Sequence, residues 1–415
     1  MARSALTLAA SVTAALPQAA VTGVRPLTEG GGGRFDSAVA TLDDGRRVVV
    51  RVPTSDEADD ELRGEARALK ALTAGVRGVL PFGAPDVLGE TVVDGRHAVV
   101  QTLLPGYRVD AKHVPPGPGV ATAIADAIAR VHDLPVAVIR DAGLPVRSAA
   151  QARDDAERLL DRAEATGELP FGLLRRWSTA LGADGLWRFE TTVTLGGADP
   201  ASFVLEDTAA GVPAVTGLLT WGGLGVGDPA VDLHWTASSP MARDDVIATY
   251  AERSHRAPDA LLTARTRLYA ELEFAKWLVH GTAVGSASII ADARELLVSL
   301  DAAVRDEPPL ATQTISVQDA ITAGGRVTPA PGVDTSMQTD AYSPDELALL
   351  VDDEHTSAAQ PTVPIDLSGW NATMTRLRDT QGHARGPVDT PPDDETDADV
   401  DTAAQNALRR WTGTA

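Results

Sequence analysis

Val48, Val49, Val50 and Val52 form a run of β-branched side chains broken only by Arg51, and such a run predicts a strand. Two further strand-like runs fill residues 91–104 on either side of Asp94-Gly95, a pair suited to a tight hairpin turn. Between them, residues 56–74 place Leu62, Ala66, Leu69 and Leu72 on one helical face. Residues 21–104 therefore read as a strand-rich unit carrying one helix. Beyond about residue 107 the period changes. Residues 121–132, 149–165, 244–252, 258–284 and 289–305 are rich in alanine and leucine and predict helices. Phe274, Trp277 and Leu278 share the core-facing spacing of one of them. A strand-rich island at 189–221 interrupts the helical zone. At the start of the chain, residues 4–16 mix alanine and leucine with Ser11 and Thr13 and follow a single charge, Arg3. They read as a short amphipathic helix rather than as a signal peptide, so the expected location is the cytoplasm.

The pattern changes again near Asp306. From there to Ala415 the chain carries 19 acids and 6 arginines, which is 13 of its 22 excess negative charges. Proline, threonine, aspartate and glycine dominate, with few large apolar residues to offset the entropy of ordering, so a disordered acidic tail is expected. Residues 345–351, 364–377 and 403–411 are short islands with more apolar character. They read as residual local helicity or, in the sharper alternative, as docking segments for a protein partner.

Composition narrows the chemistry. The 415 residues include no cysteine, which removes disulfides, thiolate metal sites and a cysteine nucleophile. A net charge of -22 disfavours nucleic acid as a partner. No apolar run is long enough to span a bilayer. Lys70, Lys112 and Lys276 are the only lysines, so the positive charge is nearly all arginine.

A strand-rich first unit, an extended connector and a helical second unit follow the order of a two-lobed kinase. The run Gly223–Leu233 (GLGVGDPAVDL) resembles the signature that follows the catalytic loop in the aminoglycoside and macrolide phosphotransferase family. Residues 125–135 (ADAIARVHDLP) are similar to the helix after that family's interlobe linker. Val48–Pro53, followed by Glu65, resembles its third strand and next helix. The resemblance covers about residues 20–300 and implies an α+β, bilobal protein-kinase-like fold. The N-lobe would span 1–104, the helical C-lobe 105–305 with a catalytic-loop-like island at 189–233, and the tail 306–415.

The resemblance also implies a site. Arg51 would face the phosphates of ATP or GTP, and Glu65 would pair with it. Gly31 and Gly32, within Gly30–Gly33, would bring backbone N–H groups to the phosphates, although four glycines also make an ordinary flexible hairpin. The backbone of Thr102–Leu104, here Thr102 and Leu104 in particular, would face the base. The departures are more telling. The family's catalytic loop reads His-Gly-Asp, four residues, then Asn; aligned on Pro200-Ala201-Ser202, it puts Leu195 on the histidine, Gly197 on the catalytic aspartate and Ser202 on the metal-binding asparagine. Thr220 falls on the second metal ligand, an aspartate in the family. A glycine accepts no proton, and neutral hydroxyls are poor substitutes for a carboxylate at Mg2+. Losing a general base alone costs roughly two to four decades in rate.

The leading expectation is a homologue that binds a nucleotide or small molecule and has impaired or lost phosphoryl transfer. One alternative is a working O-phosphotransferase with an altered site, acting on a macrolide, aminoglycoside or sugar-like alcohol, with Asp199 as substitute base and Glu206 or Asp207 as metal ligand. The other is an interaction protein acting through its tail. His132, His234 and His280 are scattered singly and read as side chains that satisfy local hydrogen bonds, with His234 packed beneath the loop.

Overall fold

The computed structural model describes residues 3–27, 33–257 and 259–310. Gly31 and Gly32, and the tail from residue 311 onward, lie outside the described residues. In the N-lobe, β1 (Val21–Pro26), β2 (Phe35–Leu42), β3 (Arg47–Pro53), β4 (Val87–Val93) and β5 (Arg96–Thr102) form an antiparallel sheet in the order β1-β2-β3-β5-β4. The β4–β5 hairpin turns through Asp94 and Gly95 at φ 50° and 80°, the two positive values a type I′ turn requires.

The valine run of β3 is continuous because both faces of the sheet are covered. Helix α1 (Ala5–Ala15) packs Leu8 and Val12 on one face, against Ala38, Val48, Val50 and Val52. Helix α2 (Asp56–Ala71) brings Leu62 and Ala66 against Val99 on the other. Ser55 caps α2 by accepting the Ala58 N–H at 3.2 Å, and Asp56, Glu57 and Asp59 complement the positive end of its dipole. Asp59 then fastens α2 to β5 by accepting the His97 N–H at 2.6 Å. Its carboxyl is pushed up by burial, but the His97 amide and the Arg63 guanidinium outweigh this and hold it below 3.8. A short helix, α3 (Ala74–Val79), follows.

The connector after β5 is tied to the C-lobe. Tyr107 and Leu205 exchange backbone hydrogen bonds of 2.9 and 2.8 Å. Gly106, at φ +127°, allows this approach, since a Cβ there would stand 2.5 Å from Val204 Cγ1.

In the C-lobe, α4 (Val120–His132) is buried nearly all round and is followed by α5 (Val136–Asp141). A second core gathers α6 (Ala149–Ala165), α7 (Phe171–Leu181), α9 (Leu262–Val284) and α10 (Ala287–Val304) around Trp177, Leu268 and Leu297. Helix α8 (Arg243–Arg253) packs beside α4. Helix α9 starts at Leu262, later than its composition suggests, because Asp259 turns the chain by accepting the Leu261 N–H at 3.1 Å. Helix α7 had no strong alanine–leucine signal; Leu173, Trp177 and Leu181 bury its inner face. The strand-rich island resolves into β6 (Thr192–Thr194) paired with β9 (Gly225–Gly227), and β7 (Phe203–Asp207) paired with β8 (Pro213–Leu218). Among the described residues no helix is long and apolar enough to cross a membrane.

Candidate functional site

Strand parity decides where Arg51 points. Val48, Val50 and Val52 face α1, so Arg51 faces α2. There its Nη1 donates to Glu65 Oε2 at 2.6 Å, with the carboxylate side chain only 4% exposed. The Arg51 guanidinium lies over the Phe35 ring at 4.4 Å. Glu65 Oε1 is buried without a hydrogen-bond partner.

Thr102, at the end of β5, spends its N–H on the Asp86 carbonyl at 3.0 Å and accepts the Asp86 N–H with its hydroxyl at 2.9 Å. Leu104 differs. Its side chain packs against Gly83 and Gly217, while its backbone N–H and C=O make no hydrogen bond among the described residues. An open donor and acceptor on the connector is what the edge of a purine base would use.

The loop between β6 and β7 is held from beneath by Asp232. Its Oδ2 accepts the Leu195 N–H at 2.6 Å, and its Oδ1 accepts the N–H groups of Gly197 and Ala198 at 2.7 and 3.1 Å. His132 Nε2 also reaches Oδ2 at 3.0 Å, and its Nδ1 lies 2.8 Å from the Tyr250 hydroxyl. A carboxylate only accepts, so the Nε2 carries the proton and the tyrosine donates to Nδ1. Burial raises the Tyr250 pKa and keeps the hydroxyl protonated. The signature's other aspartate, Asp228, is also buried. Its Oδ2 receives the Arg265 Nε at 2.7 Å and the Tyr269 hydroxyl at 3.1 Å. Burial pushes Asp228 up, against the pull of Arg265.

Gly196 and Gly197 adopt φ +75° and +119°. The loop lies directly on Gly223, where a Cβ would stand 2.1 Å from the Leu195 carbonyl oxygen. Ser202 and Thr220, far apart in sequence, meet here: the Ser202 hydroxyl donates to Thr220 Oγ1 at 3.0 Å. The two aligned metal positions thus share one place but offer no anionic oxygen. Among the described residues no group of three His, Asp or Glu side chains could hold a metal ion. These residues do not fit Mg2+. Asp199 is exposed and caps a short 3-10 turn at Pro200–Ser202, accepting the Ala201 N–H at 2.8 Å. Asp207 ends β7 and accepts the Tyr107 hydroxyl at 2.8 Å, while Glu206 beside it is exposed.

A cavity of about 720 Å3 lies between α6 and α9 beside Val231, lined among others by Asp155, Arg158, Arg162, Tyr269 and Lys276. Burial would raise the Asp155 carboxyl, but Arg147 and Arg158 hold it below the usual carboxylate value. In the sequence Asp232 is one residue of a motif and His132 a lone histidine. Their joint task has no local signal, because 100 residues separate them.

The phosphotransferase enzyme family matches over residues 26–275. A macrolide 2'-phosphotransferase from Brachybacterium faecium, solved as the apoenzyme, is 25% identical with a TM-score of 0.57, covering 69% of this chain and 96% of that one. A macrolide 2'-phosphotransferase type I is 23% identical with a TM-score of 0.58, over 72% of this chain and 98% of its own. The GDP complex of wild-type aminoglycoside 2'-phosphotransferase-IIIa is 19% identical with a TM-score of 0.60, over 72% and 99% of the two chains. No curated protein sequence matches the chain significantly. With the family matched over more than half of its length, and with the two-lobed fold and the loop-and-signature arrangement in place, the chain belongs to the phosphotransferase enzyme family.

Proposed function

We propose that this protein is a nucleotide-binding, cytoplasmic homologue of the small-molecule phosphotransferases whose phosphoryl transfer is impaired. The observation that carries the reading is the Ser202–Thr220 hydroxyl pair at 3.0 Å. Two neutral oxygens occupied with each other stand where the family alignment calls for metal anchors, so the charge developing on a transferring phosphoryl group lacks its usual stabilisation. Nucleotide binding is supported by the opposite kind of feature. Arg51 is held by Glu65 beside the Phe35 ring, and the Leu104 backbone is open. Arg51 would meet the phosphates of ATP or GTP, and the structural relative aminoglycoside 2'-phosphotransferase-IIIa was solved with GDP. The cavity of about 720 Å3 is within the size range of small-molecule sites.

A thermal-shift titration with ATP and GTP, each with and without Mg2+, tests the reading. The melting temperature should rise with nucleotide, change little on adding Mg2+, and lose the shift in Arg51→Ala. A shift that requires Mg2+ and ignores Arg51→Ala would refute the assigned site.

A further inference from the structure

Gly197 removes the carboxylate from the catalytic loop, but the space beside it is not vacant. A Cβ built at Gly197 would stand 3.4 Å from His234 Cε1, and no other heavy atom outside the adjoining residues comes within 4 Å. The imidazole is therefore the group facing the position from which the family's base would project. Its orientation is fixed by a hydrogen bond within its own segment. His234 Nδ1 lies 2.6 Å from the Val231 carbonyl oxygen. A carbonyl only accepts, so Nδ1 carries the proton and Nε2 keeps a free lone pair. Nε2 has no hydrogen-bond partner among the described residues and is not among the buried atoms that lack one, so it opens to solvent. His234 is half-buried, in the 3-10 segment Pro229–Ser238 whose Asp232 holds the loop.

His132 offers a contrast. It is fully buried, and both of its ring nitrogens are engaged by Asp232 and Tyr250. His132 positions the loop, whereas His234 presents a basic nitrogen next to it. Asp199, the substitute suggested by sequence, already uses one carboxylate oxygen to cap its own turn.

We propose that His234 Nε2 is the general base for the phosphoryl transfer that this protein retains. The proposal rests on the nucleotide-binding reading and adds a catalytic group to it. The oxygen of an acceptor hydroxyl attacks the terminal phosphorus of a nucleoside triphosphate, and its proton passes to His234 Nε2. The bond from that phosphorus to the β-phosphate oxygen breaks, and its electron pair leaves on the nucleoside diphosphate. The imidazolium, with Nδ1–H still donated to the Val231 carbonyl, then releases the proton to water. Transfer remains slow because the base is replaced while the metal anchors are not.

Three measurements on the full chain test this. In a long-range 1H–15N NMR spectrum, the His234 ring should show the Nδ1–H tautomer. Nucleoside diphosphate release from ATP and GTP, with erythromycin or kanamycin as acceptor, should be slow in the wild type. It should fall by about 10^2-fold or more in His234→Ala, recover in part with added imidazole, and survive Asp199→Asn. The nucleotide-induced thermal shift should persist in His234→Ala. A thermal shift without any wild-type turnover would overturn the base and leave nucleotide binding standing. Turnover untouched by His234→Ala, a loss that imidazole does not relieve, or an Nε2–H tautomer would each overturn it too. Absence of both shift and turnover would defeat both readings.

Discussion

Replacing Asp232 with asparagine should unfasten the loop between β6 and β7 at one identifiable atom. The carboxylate accepts from Leu195 and His132 on Oδ2, and from Gly197 and Ala198 on Oδ1. An asparagine with its oxygen at the Oδ1 position keeps the last two bonds and turns two N–H donors toward the first pair. His132 can respond by moving its proton to Nδ1 and donating to Tyr250, which also accepts. The Leu195 amide has no such choice and is left buried, facing another donor. A lost hydrogen bond to a charged group is worth about 1.5–3 kcal/mol, so Asp232→Asn should cost about 2–3 kcal/mol. Asp232→Ala strands three backbone donors and an imidazole and should cost about 4 kcal/mol. Urea unfolding of the full chain measures both costs, read as a lower midpoint at unchanged slope. Amide exchange should accelerate at Leu195 in Asp232→Asn, and at Leu195, Gly197 and Ala198 together in Asp232→Ala. A loss below about 0.5 kcal/mol for Asp232→Asn, the range of ordinary surface changes, would show that the loop holds its shape without this carboxylate.

Two further expectations concern backbone strain and pH. Gly197→Asp restores the family's base on paper, yet φ +119° is a conformation side chains rarely adopt. The variant should melt lower, with a stability loss of about 1–3 kcal/mol from strain, and Gly197→Asp with Ser202→Asn and Thr220→Asp should exceed the slow wild-type transfer only if the loop rearranges; unchanged melting in Gly197→Asp would disprove the strain. Asp59 has a carboxyl pKa below its ordinary 3.8 in the folded state, so its contribution is present above that value and disappears as pH falls through the folded pKa. Asp59→Asn should therefore melt below the wild type at pH 7 and converge with it in acid, and a difference that stays constant down to acid pH would contradict the linkage.

Much of the architecture was legible from period alone. The valine run, the Asp94-Gly95 hairpin and the alanine–leucine helices are local patterns, and each formed because its own residues favour it and because one face of each meets an apolar partner. The motif alignment paired Arg51 with Glu65, and the alternation of side chains along β3 turns it to the face opposite Val50. The Ser202 and Thr220 hydroxyls, 18 residues apart in the chain, lie 3.0 Å from each other in the fold. Other features depend on distances that sequence does not encode. His132, Tyr250 and Asp232 become one network only when α4, α8 and the 3-10 segment pack together. Gly197 reads as a missing carboxylate in the sequence, whereas in the fold it is also a backbone that a side chain would strain and a space bordered by His234. Periodicity reports which face of an element is buried, because that is a property of neighbouring residues. Which polar groups then share a buried position, and which ring nitrogen is left free, is decided by packing between elements and by the need to satisfy every hydrogen-bonding group enclosed there.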